Sequence, residues 1–308
     1  MTNLATACIM APGGSARHMP LENKTFVVTG ATSGIGLAVV ESLVRQGASV
    51  IGVGRAADRC ERARHRVQAI GEPGARVAYL SADLALQDNV RRLAADIGET
   101  MGNWGHRHLD ALINNAATVP YWQTLTPEGI DMQWAVIHLA AFLLTLELLP
   151  LLRAAPAGRM VVVSSGSHHG ARLNWEDLQS RRHYSPLKSY GQTKLANILF
   201  ASEFNRRFAA DSGLRAFAAD PRLVNTDIGL KSHSSLAGAI WSLRRRAGVR
   251  PEVAANGIVF LAVDASIQGS PDVYWKTCKP KAPSAAALNA QAARQLWELS
   301  AQMCAAGR

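Results

Sequence analysis

The stretch TFVVTGATSGIG, residues 25–36, joins a short apolar run to three closely spaced glycines. Residues 25–29 are typical of a buried strand, and residues 35–46 are patterned as a helix. Glycines at such a junction permit a tight turn and a close approach of the backbone to a pyrophosphate, which the helix N–H groups would bind. We therefore predict a dinucleotide-binding turn. Its predicted binding residues are Gly30, Thr32, Ser33, Gly34, Ile35 and Gly36.

Short apolar runs alternate with helical patterns along the rest of the chain. Strands separated in this way by helices favour a parallel sheet that is covered on both faces. We predict an α/β fold, a Rossmann-type doubly wound parallel sheet flanked by helices, in a single domain over residues 21–308. Residues 1–20 lack apolar periodicity, and we expect a disordered tail there. Further strands are predicted at 49–53, 76–81, 111–114, 159–164 and 215–219, and helices at 58–70, 87–101, 129–152 and 190–210.

The composition indicates a folded protein with a large core, since 48% of the 308 residues are hydrophobic. The formal net charge is +10. A basic surface attracts nucleic acid, anionic membranes or a polyphosphate cofactor. No zinc-finger spacing or aromatic RNA-binding signature accompanies the charge. We therefore expect no nucleic-acid partner, and a basic surface that suits an anionic cofactor.

The sequence lacks patterns typical of secretion, metal binding or membrane insertion. Residues 1–20 do not combine a charged start with an apolar run, so we expect a cytoplasmic protein. The longest apolar stretch, residues 135–152, contains His138, Thr145 and Glu147, which favours a buried or interface helix over a transmembrane segment. The four cysteines have no metal-site or redox-motif spacing, so no metal is expected. They are Cys8, Cys60, Cys278 and Cys304.

The end of the second predicted strand indicates which dinucleotide is bound. An acidic residue there would accept hydrogen bonds from a ribose 2′-hydroxyl and favour NAD(H). The chain has instead Gly54, which carries no carboxylate, and Arg55, which can pair with a 2′-phosphate. We expect NADP(H) rather than NAD(H), with a plain surface role for Arg55 as the alternative.

Two further segments are predicted to contact the cofactor. Asp83 and Leu84 follow the third strand, where Asp83 could bond the adenine amino group or cap a helix. Asn115 and Ala116 lie in the segment NNAA after the fourth strand, where small residues let the chain pass close to a bound cofactor.

Tyr190 and Lys194 are four residues apart and share one face of a predicted helix. A tyrosine hydroxyl titrates near ~10 in water, and a nearby ammonium lowers the pKa by favouring the phenolate. The hydroxyl could then exchange a proton with a carbonyl or alcohol oxygen during hydride transfer, and the lysine could also hold a nicotinamide ribose. Ser165 ends the preceding strand at the carboxyl edge of the sheet, where it could bond the same oxygen.

Together these motifs resemble the short-chain dehydrogenase/reductase superfamily over about residues 21–303. The matching segments are the glycine turn, NNAA, the strand ending in Ser-Ser, and YGQTK followed by LANILFASEF. WAVIHLAAFLLT and ALNAQAARQLWELS, the latter in a C-terminal helix predicted at about 285–305, are similar to the retinol-dehydrogenase-like and WW-domain-oxidoreductase-like branch. The resemblance implies a Rossmann fold and hydride transfer with NADP(H). It also implies that Ser165 orients the substrate, Tyr190 is the acid/base and Lys194 activates it.

Two positions depart from the family pattern. Ile137 stands where the family has an asparagine that helps hold a water linking the lysine to solvent, so we expect a slower proton relay. The adjacent His138 would point about 100° away around the helix and is not expected to replace it. Arg222 replaces a glycine in the segment PRLVNT, so either the loop runs differently or the arginine points to solvent. Thr226 in that segment is expected to bond the nicotinamide carboxamide.

The substrate side carries weaker signals. Residues 227–250 are a predicted lid with one short amphipathic helix. His168, His169 and Trp241 are predicted to border the pocket, and we expect a bulky, mostly apolar carbonyl or alcohol as substrate. The family commonly forms homodimers through the long apolar helix and the Tyr190 helix, and the C-terminal segment could alter that contact.

Two other functions stay open at this point. One is an NADP(H)-binding protein with weak or no turnover, which Ile137 and Arg222 support. The other is an enzyme of the same fold that performs non-redox chemistry, such as a dehydration or cyclisation in a biosynthetic pathway. The intact Ser165, Tyr190 and Lys194 favour the oxidoreductase over both.

Overall fold

The computed structural model describes residues 21–222, residue 224 and residues 248–305. Within them the chain forms one eight-stranded sheet. The predicted tail 1–20, nearly all of the predicted lid, Thr226 and Trp241 lie outside the described residues. The strands are β1 Thr25–Thr29, β2 Ser49–Gly54, β3 Val77–Ser81, β4 Ala111–Asn114, β5 Arg159–Val163, β6 Arg215–Asp220, β7 Tyr274–Lys276 and β8 Lys279–Pro280.

The strand order is β3-β2-β1-β4-β5-β6-β7-β8. Neighbours from β3 to β7 are parallel, and β8 pairs antiparallel with β7. The order reverses between β1 and β4, and in sheets of this kind ligands bind outside the carboxyl ends of the strands at the reversal. The predicted doubly wound Rossmann-type α/β fold is confirmed.

Helices cover both faces of the sheet. β1 shows this, because its successive side chains alternate between the two faces and both Val27 and Val28 are buried. Val27 packs in a core with Phe142, and Val28 in a second core with Val39 and Ile258. The helices are α1 Gly34–Val44, α2 Ala57–Gln68, α3 Gln87–Asn103, α4 Ala140–Glu147, α5 Leu149–Arg153, α6 Pro186–Ser212, α7 Pro251–Val263 and α8 Ala290–Ala305.

The long apolar segment is not the single helix predicted at residues 129–152. A π-helical turn, Trp134–Leu139, precedes α4, and the chain breaks at Leu148 before α5. Gly129 has a left-handed φ of 72°, which keeps the segment from starting there. Asp131 Oδ1 accepts hydrogen bonds from the Trp134 amide at 3.1 Å and the Gln133 amide at 3.1 Å, and so supports the start of the turn.

The Tyr190 helix begins earlier than predicted. α6 starts at Pro186, whose missing N–H is no loss in the first helical turn. Tyr190 therefore lies in the second turn of α6, where the helix is already established. The spacing that places Tyr190 and Lys194 on one face is unaffected.

The predicted C-terminal helix is present as a 3-10 turn, Ala285–Leu288, followed by α8. Trp297 of α8 is buried against Phe142 of α4 and Phe200 of α6, with ring centroids 5.0 and 5.8 Å apart. α8 thus packs against α4 and α6, the two helices that the family resemblance implies as a homodimer contact. Arg207 lies 4.6 Å over the Trp297 ring and closes the outer side of this cluster.

Neither a membrane-spanning helix nor a metal cluster is found in the described part of the chain. None of its helices combines the length and apolar character needed to cross a bilayer. No three of its His, Cys, Asp and Glu side chains are grouped so that they could hold a metal ion.

Candidate active site

The glycine turn connects β1 to α1 at the reversal of strand order. Gly30 and Gly34 have φ values of 67° and 55°, which L side chains rarely adopt. A Cβ at Gly36 would lie 2.3 Å from the Gly30 carbonyl oxygen, and one at Gly30 would lie 2.9 Å from Ala116 Cα. The glycines are thus required by backbone contacts, and the turn fits a group that approaches the main chain closely.

The start of α1 suits an anion. Ser33 is the N-cap residue, its backbone is extended, and its side chain makes no capping hydrogen bond. The first N–H groups of α1 therefore have no side-chain cap from Ser33, as expected for a helix start that binds a phosphate. Thr32 and Ser33 are partly exposed or exposed, and Ile35 is buried and packs the helix onto the sheet.

Asn115 locks the glycine turn onto the neighbouring strand. Its side-chain amide donates to the Thr29 carbonyl at 2.9 Å and to the Gly30 carbonyl at 3.3 Å. The Thr29 hydroxyl accepts in return from the amides of Asn115 and Ala116, at 3.0 and 3.1 Å. The predicted cofactor residues Asn115 and Ala116 are thereby brought against the predicted phosphate turn.

The end of β2 leaves no room for an acidic side chain. A Cβ at Gly54 would lie 2.3 Å from Thr32 Cγ2 and 2.8 Å from the Cys60 sulfur. The next residue, Arg55, is exposed, and its carbonyl accepts a hydrogen bond from the Ser81 hydroxyl at 3.0 Å. The end of β2 therefore has a guanidinium at residue 55 and no carboxylate at residue 54.

Asp83 does not cap α3. Its Oδ1 accepts from the Ala85 amide at 3.0 Å, within the turn before the helix, and the N-cap residue is Leu86. The neighbouring Leu84 lines a small cavity together with Ala116 and Ile137. Leu84 thus lies close to Ala116, another of the predicted cofactor residues.

Ser165, Tyr190 and Lys194 come together at the carboxyl ends of β5 and β6, and we refer to them as the acid/base site. The Ser165 hydroxyl is hydrogen-bonded to the Tyr190 hydroxyl. Lys194 Nζ lies 5.3 Å from the centroid of the Tyr190 ring and donates to the Val163 carbonyl at 2.8 Å. The arrangement matches a substrate-orienting hydroxyl, a proton donor and a nearby amine.

The electrostatics of the acid/base site differ from the prediction. Burial raises the pKa of Tyr190 to about 12, although the hydrogen bond from Ser165 opposes the rise. Burial also lowers the pKa of Lys194 to about 7. The sequence predicts a lowered pKa for Tyr190, whereas in the structure the pKa is raised, because desolvation of the hydroxyl is the largest effect on it. Tyr190 is held as a neutral hydroxyl, the form that donates a proton.

Asn197 supports Lys194 and is absent from the sequence-based site. Its amide donates to the Val163 carbonyl at 3.2 Å, the same oxygen that Lys194 bonds. The Ser164 hydroxyl donates to the Lys194 carbonyl at 2.8 Å and ties α6 to the end of β5. The signal in the sequence is that Asn197 follows Lys194 by three residues and so shares its helix face.

His138 extends the hydrogen-bonded network of Lys194 and Asn197. The His138 ring is fully buried, with Nδ1 3.4 Å from Asn197 Oδ1 and Nε2 2.9 Å from the Ser300 hydroxyl of α8. Burial lowers the pKa of His138 to about 4, so the ring is neutral. Ile137 is also buried and has no side-chain hydrogen-bonding group. His138 therefore braces Asn197, and through it the surroundings of Lys194.

His168 is buried instead of bordering an open pocket. Its Nδ1 donates to the Ser165 carbonyl at 2.7 Å, and its Nε2 accepts from the Ser284 amide at 3.1 Å. Both ring nitrogens are used, so the predicted contact with substrate is replaced by support of Ser165. The exposed His169 stacks on His168, with centroids 4.0 Å apart, and stays a pocket candidate.

In the loop after β6, Arg222 has a backbone conformation that favours glycine. Its φ is 69°, in the left-handed region, and its side chain is exposed. The Arg222 amide donates to Asp220 Oδ1 at 2.9 Å. Of the two outcomes expected for this substitution, the arginine points to solvent.

The described geometry agrees with comparisons to known proteins. A model of the short chain dehydrogenase family matches residues 24–236. The chain belongs to the short-chain dehydrogenase family. Human retinol dehydrogenase 13 is 33% identical over 301 residues, covering 94% of this chain and 87% of that protein. Mouse retinol dehydrogenase 14 is also 33% identical, over 294 residues, covering 92% and 86%.

Solved structures share the fold of this chain. An uncharacterized protein from Mycobacterium paratuberculosis superposes with a TM-score of 0.71 and 32% identity, covering 92% of this chain and 94% of that one. A short chain dehydrogenase from Burkholderia cenocepacia in complex with NADP has a TM-score of 0.65 at 20% identity, covering 88% and 100%, and shows the shared fold. This short-chain dehydrogenase is therefore a retinol-dehydrogenase-like oxidoreductase by family.

Proposed function

We propose that this short-chain dehydrogenase is an NADP(H)-dependent oxidoreductase that interconverts a carbonyl and an alcohol. The observation that carries the proposal is the convergence of Ser165, Tyr190 and Lys194 beside the phosphate turn. The Ser165 hydroxyl bonds that of Tyr190, and Lys194 Nζ lies 5.3 Å from the Tyr190 ring. NADP(H) would supply or accept the hydride when bound.

The residues of the acid/base site have separate roles in this reaction. Ser165 orients the substrate oxygen by a hydrogen bond. Tyr190 donates its hydroxyl proton to that oxygen as the carbonyl becomes an alcohol, and takes a proton in the reverse direction. Lys194 favours the phenolate that forms, because a nearby ammonium stabilises negative charge. Asn197 and the Val163 carbonyl position Lys194 for that role.

The preference for NADP(H) rests on Gly54 and Arg55. A side chain at Gly54 would meet Thr32 at 2.3 Å, so an acidic residue that repels a 2′-phosphate is sterically disfavoured. The exposed Arg55 guanidinium can pair with the 2′-phosphate. Asn115 and the glycine turn would hold the pyrophosphate end, and Asp83 with Leu84 the adenine end.

The proposed substrate is a bulky, mostly apolar carbonyl or alcohol. The similar human and mouse proteins are named retinol dehydrogenases, and retinol is a molecule of this class. The exposed His169 and Trp175 follow Ser165 along the chain, and they are the aromatic side chains proposed to contact such a substrate. Stacking and apolar contact suit a lipophilic substrate better than a charged one.

The test measures NADPH oxidation by absorbance with a panel of lipophilic ketones, aldehydes including retinal, and quinones. Tyr190→Phe removes the proton donor and keeps the ring, and we expect it to lower the turnover number by ~10²–10⁴-fold. NADPH binding, followed by fluorescence, should change little. Turnover that survives Tyr190→Phe undiminished would show that Tyr190 is not the acid.

A second candidate is an NADP(H)-binding protein with weak turnover. Ile137 favours it, since the side chain is buried, 2% exposed, and cannot hold a water where the family has an asparagine. Tight NADPH binding with no turnover across the panel would select this candidate over the oxidoreductase.

A further inference from the structure

Asp220 is a buried carboxylate at the end of β6, on the sheet edge that carries the acid/base site. Its side chain accepts two hydrogen bonds, from the Tyr274 hydroxyl at 2.7 Å and from the Arg222 amide at 2.9 Å. A carboxylate only accepts hydrogen bonds, so two fixed donors suit its ionised form. Burial, and the hydrogen bond to Asp220, raise the pKa of Tyr274, which therefore stays a neutral donor.

The Asp220 carboxylate lies close to the turn that carries Ser165. A Cβ placed on Gly166 would lie 3.6 Å from Asp220 Oδ2. Gly166 follows Ser165 directly, and the Ser165 hydroxyl is bonded to Tyr190. Asp220 is therefore close to the acid/base site.

An amine and a carboxylate both lie near Tyr190. Lys194 supplies an amine 5.3 Å from its ring, and Asp220 supplies a carboxylate at the end of β6. His168 is neutral, because both ring nitrogens are bonded and burial lowers its pKa. Besides Tyr190, the titratable groups nearest this edge are Lys194 on α6, Asp220 at the end of β6, His168 and His169 on the 3-10 turn Gly166–Gly170, Arg222 on the following loop, and Tyr274 and the exposed Lys276 on β7, the latter being the strand partner of Asp220.

We propose that Asp220 is a positioning residue of the acid/base step, whose fixed carboxylate favours the protonated, proton-donating form of Tyr190. A negative charge in a poorly solvated site opposes formation of a second negative charge nearby. In agreement, the pKa of Tyr190 is raised mainly by burial and, to a smaller extent, by the charge of Asp220. Asp220 takes no part in the proton transfer itself, which passes between Tyr190 and the substrate oxygen.

The inference rests on the proposed function, and it specifies what sets the pH at which reduction gives way to oxidation. Lys194 favours the phenolate and Asp220 the neutral hydroxyl. Removing the Asp220 charge should therefore move the alkaline limb of reduction and the acid limb of oxidation to lower pH together. A residue that only packs the site would change the rates and leave both limbs in place.

The experiment compares Asp220→Asn with Tyr274→Phe. Asp220→Asn removes the charge and keeps the shape, and we expect both limbs to move down by ~0.5–1 pH unit. Tyr274→Phe removes the hydrogen bond to Asp220 but keeps the charge and the ring that packs on His168, at 4.7 Å between centroids. We expect its limbs to stay within ~0.2 pH unit of the parent protein.

A second readout does not need turnover. The Tyr190 phenolate is titrated by ultraviolet absorbance, as the difference between each protein and its Tyr190→Phe counterpart. We expect a lower midpoint in Asp220→Asn than in the parent. If the parent protein turns over no substrate, the proposed function fails, and this titration still decides the inference.

The outcomes separate charge from packing. A lower pH midpoint in Asp220→Asn with an unchanged midpoint in Tyr274→Phe supports the inference. An unchanged midpoint in Asp220→Asn, or equal shifts in both variants, overturns it. If Asp220→Asn does not fold, as judged by thermal unfolding, Asp220→Ser provides a second neutral side chain and is read by the same criteria.

Discussion

The phosphate turn and the acid/base site lie on one sheet edge but are built in different ways. The turn is made of backbone contacts between close neighbours, such as the 2.3 Å that would separate a Cβ at Gly36 from the Gly30 carbonyl. The acid/base site is made of buried and half-buried polar side chains, and distant segments support it, as in the contact between His168 and Ser284, which are 116 residues apart.

The difference teaches where each site is vulnerable. In the turn, backbone contacts leave no space for a side chain, so any added side chain interferes whatever its charge. In the acid/base site, charge and protonation decide, so a substitution of equal size can remove function while the fold stays. Substitutions at the two sites should therefore differ in whether they remove shape or charge.

Lys194→Met should produce the largest loss of activity. Methionine is similar in length and apolar, so it can occupy the buried position of Lys194 without a charge. We expect the turnover number to fall by ~10²–10⁴-fold, since Tyr190 loses its activating amine. Lys188→Met, an exposed lysine on the same helix, is the matched control and should keep full turnover. Steady-state kinetics with NADPH measure both.

The same variant should also change how stability depends on pH. The folded pKa of Lys194 is about 7, below its ordinary 10.5, so between these values the unfolded chain binds the extra proton. Stability of the parent protein should therefore rise with pH across this window, by up to ~1.4 kcal/mol per pH unit. Urea unfolding at pH 7 and pH 9 measures the rise, which should be smaller in Lys194→Met. Equal rises in both proteins would contradict a buried, neutralised Lys194.

The two sites also differ in how much of each could be predicted from the sequence. Gly30, Gly34 and Gly36 are readable because the strand, the turn and the helix that require them are adjacent in the chain. Ser165, Tyr190 and Lys194 were predicted from helix spacing, strand position and family resemblance. The contact of His138 with Asn197 could not be predicted, because it joins residues 59 positions apart through tertiary packing.

The pKa of Tyr190 shows a second limit. Its neighbour Lys194 is visible in the sequence, and it predicts a lowered pKa. Burial is a property of the folded chain, and it raises the pKa to about 12 instead. His168 shows the same limit, since its sequence position next to Ser165 predicts a pocket residue and its two hydrogen bonds make it a buried support.

Gly36→Ala should strongly weaken cofactor binding. The added Cβ would lie 2.3 Å from the Gly30 carbonyl oxygen, which is backbone and cannot rotate away. We expect a stability loss of ~1–3 kcal/mol and NADPH affinity reduced ~10-fold or more, because the turn must open. Gly102→Ala is the control, since no atom lies within 4 Å of its added Cβ on α3. NADPH titration by fluorescence checks both, and equal affinities would mean that the turn tolerates a side chain.

Arg55→Ala should alter cofactor choice more than affinity in general. Loss of a charge-assisted hydrogen bond to the 2′-phosphate costs ~1.5–3 kcal/mol, or about 10- to 100-fold in NADPH affinity. NADH lacks this phosphate, so its affinity should change little. Arg62→Ala, which removes an exposed ion pair with Asp58 at 2.8 Å, is the control. Parallel losses for NADPH and NADH would assign Arg55 a general electrostatic effect.

Arg222→Gly should give the smallest effect, a gain in stability. Arg222 has a φ of 69°, and a non-glycine residue in this region is strained by ~1–2 kcal/mol. Glycine removes the strain but gains freedom in the unfolded chain, so the net increase should be about 0.5–1 kcal/mol. Asn23→Gly, at a φ of 63°, is the control and should gain less, because asparagine tolerates this conformation. Urea unfolding compares the two. A loss of stability in Arg222→Gly would mean that the arginine side chain stabilises the loop after β6 by more than its backbone strains it.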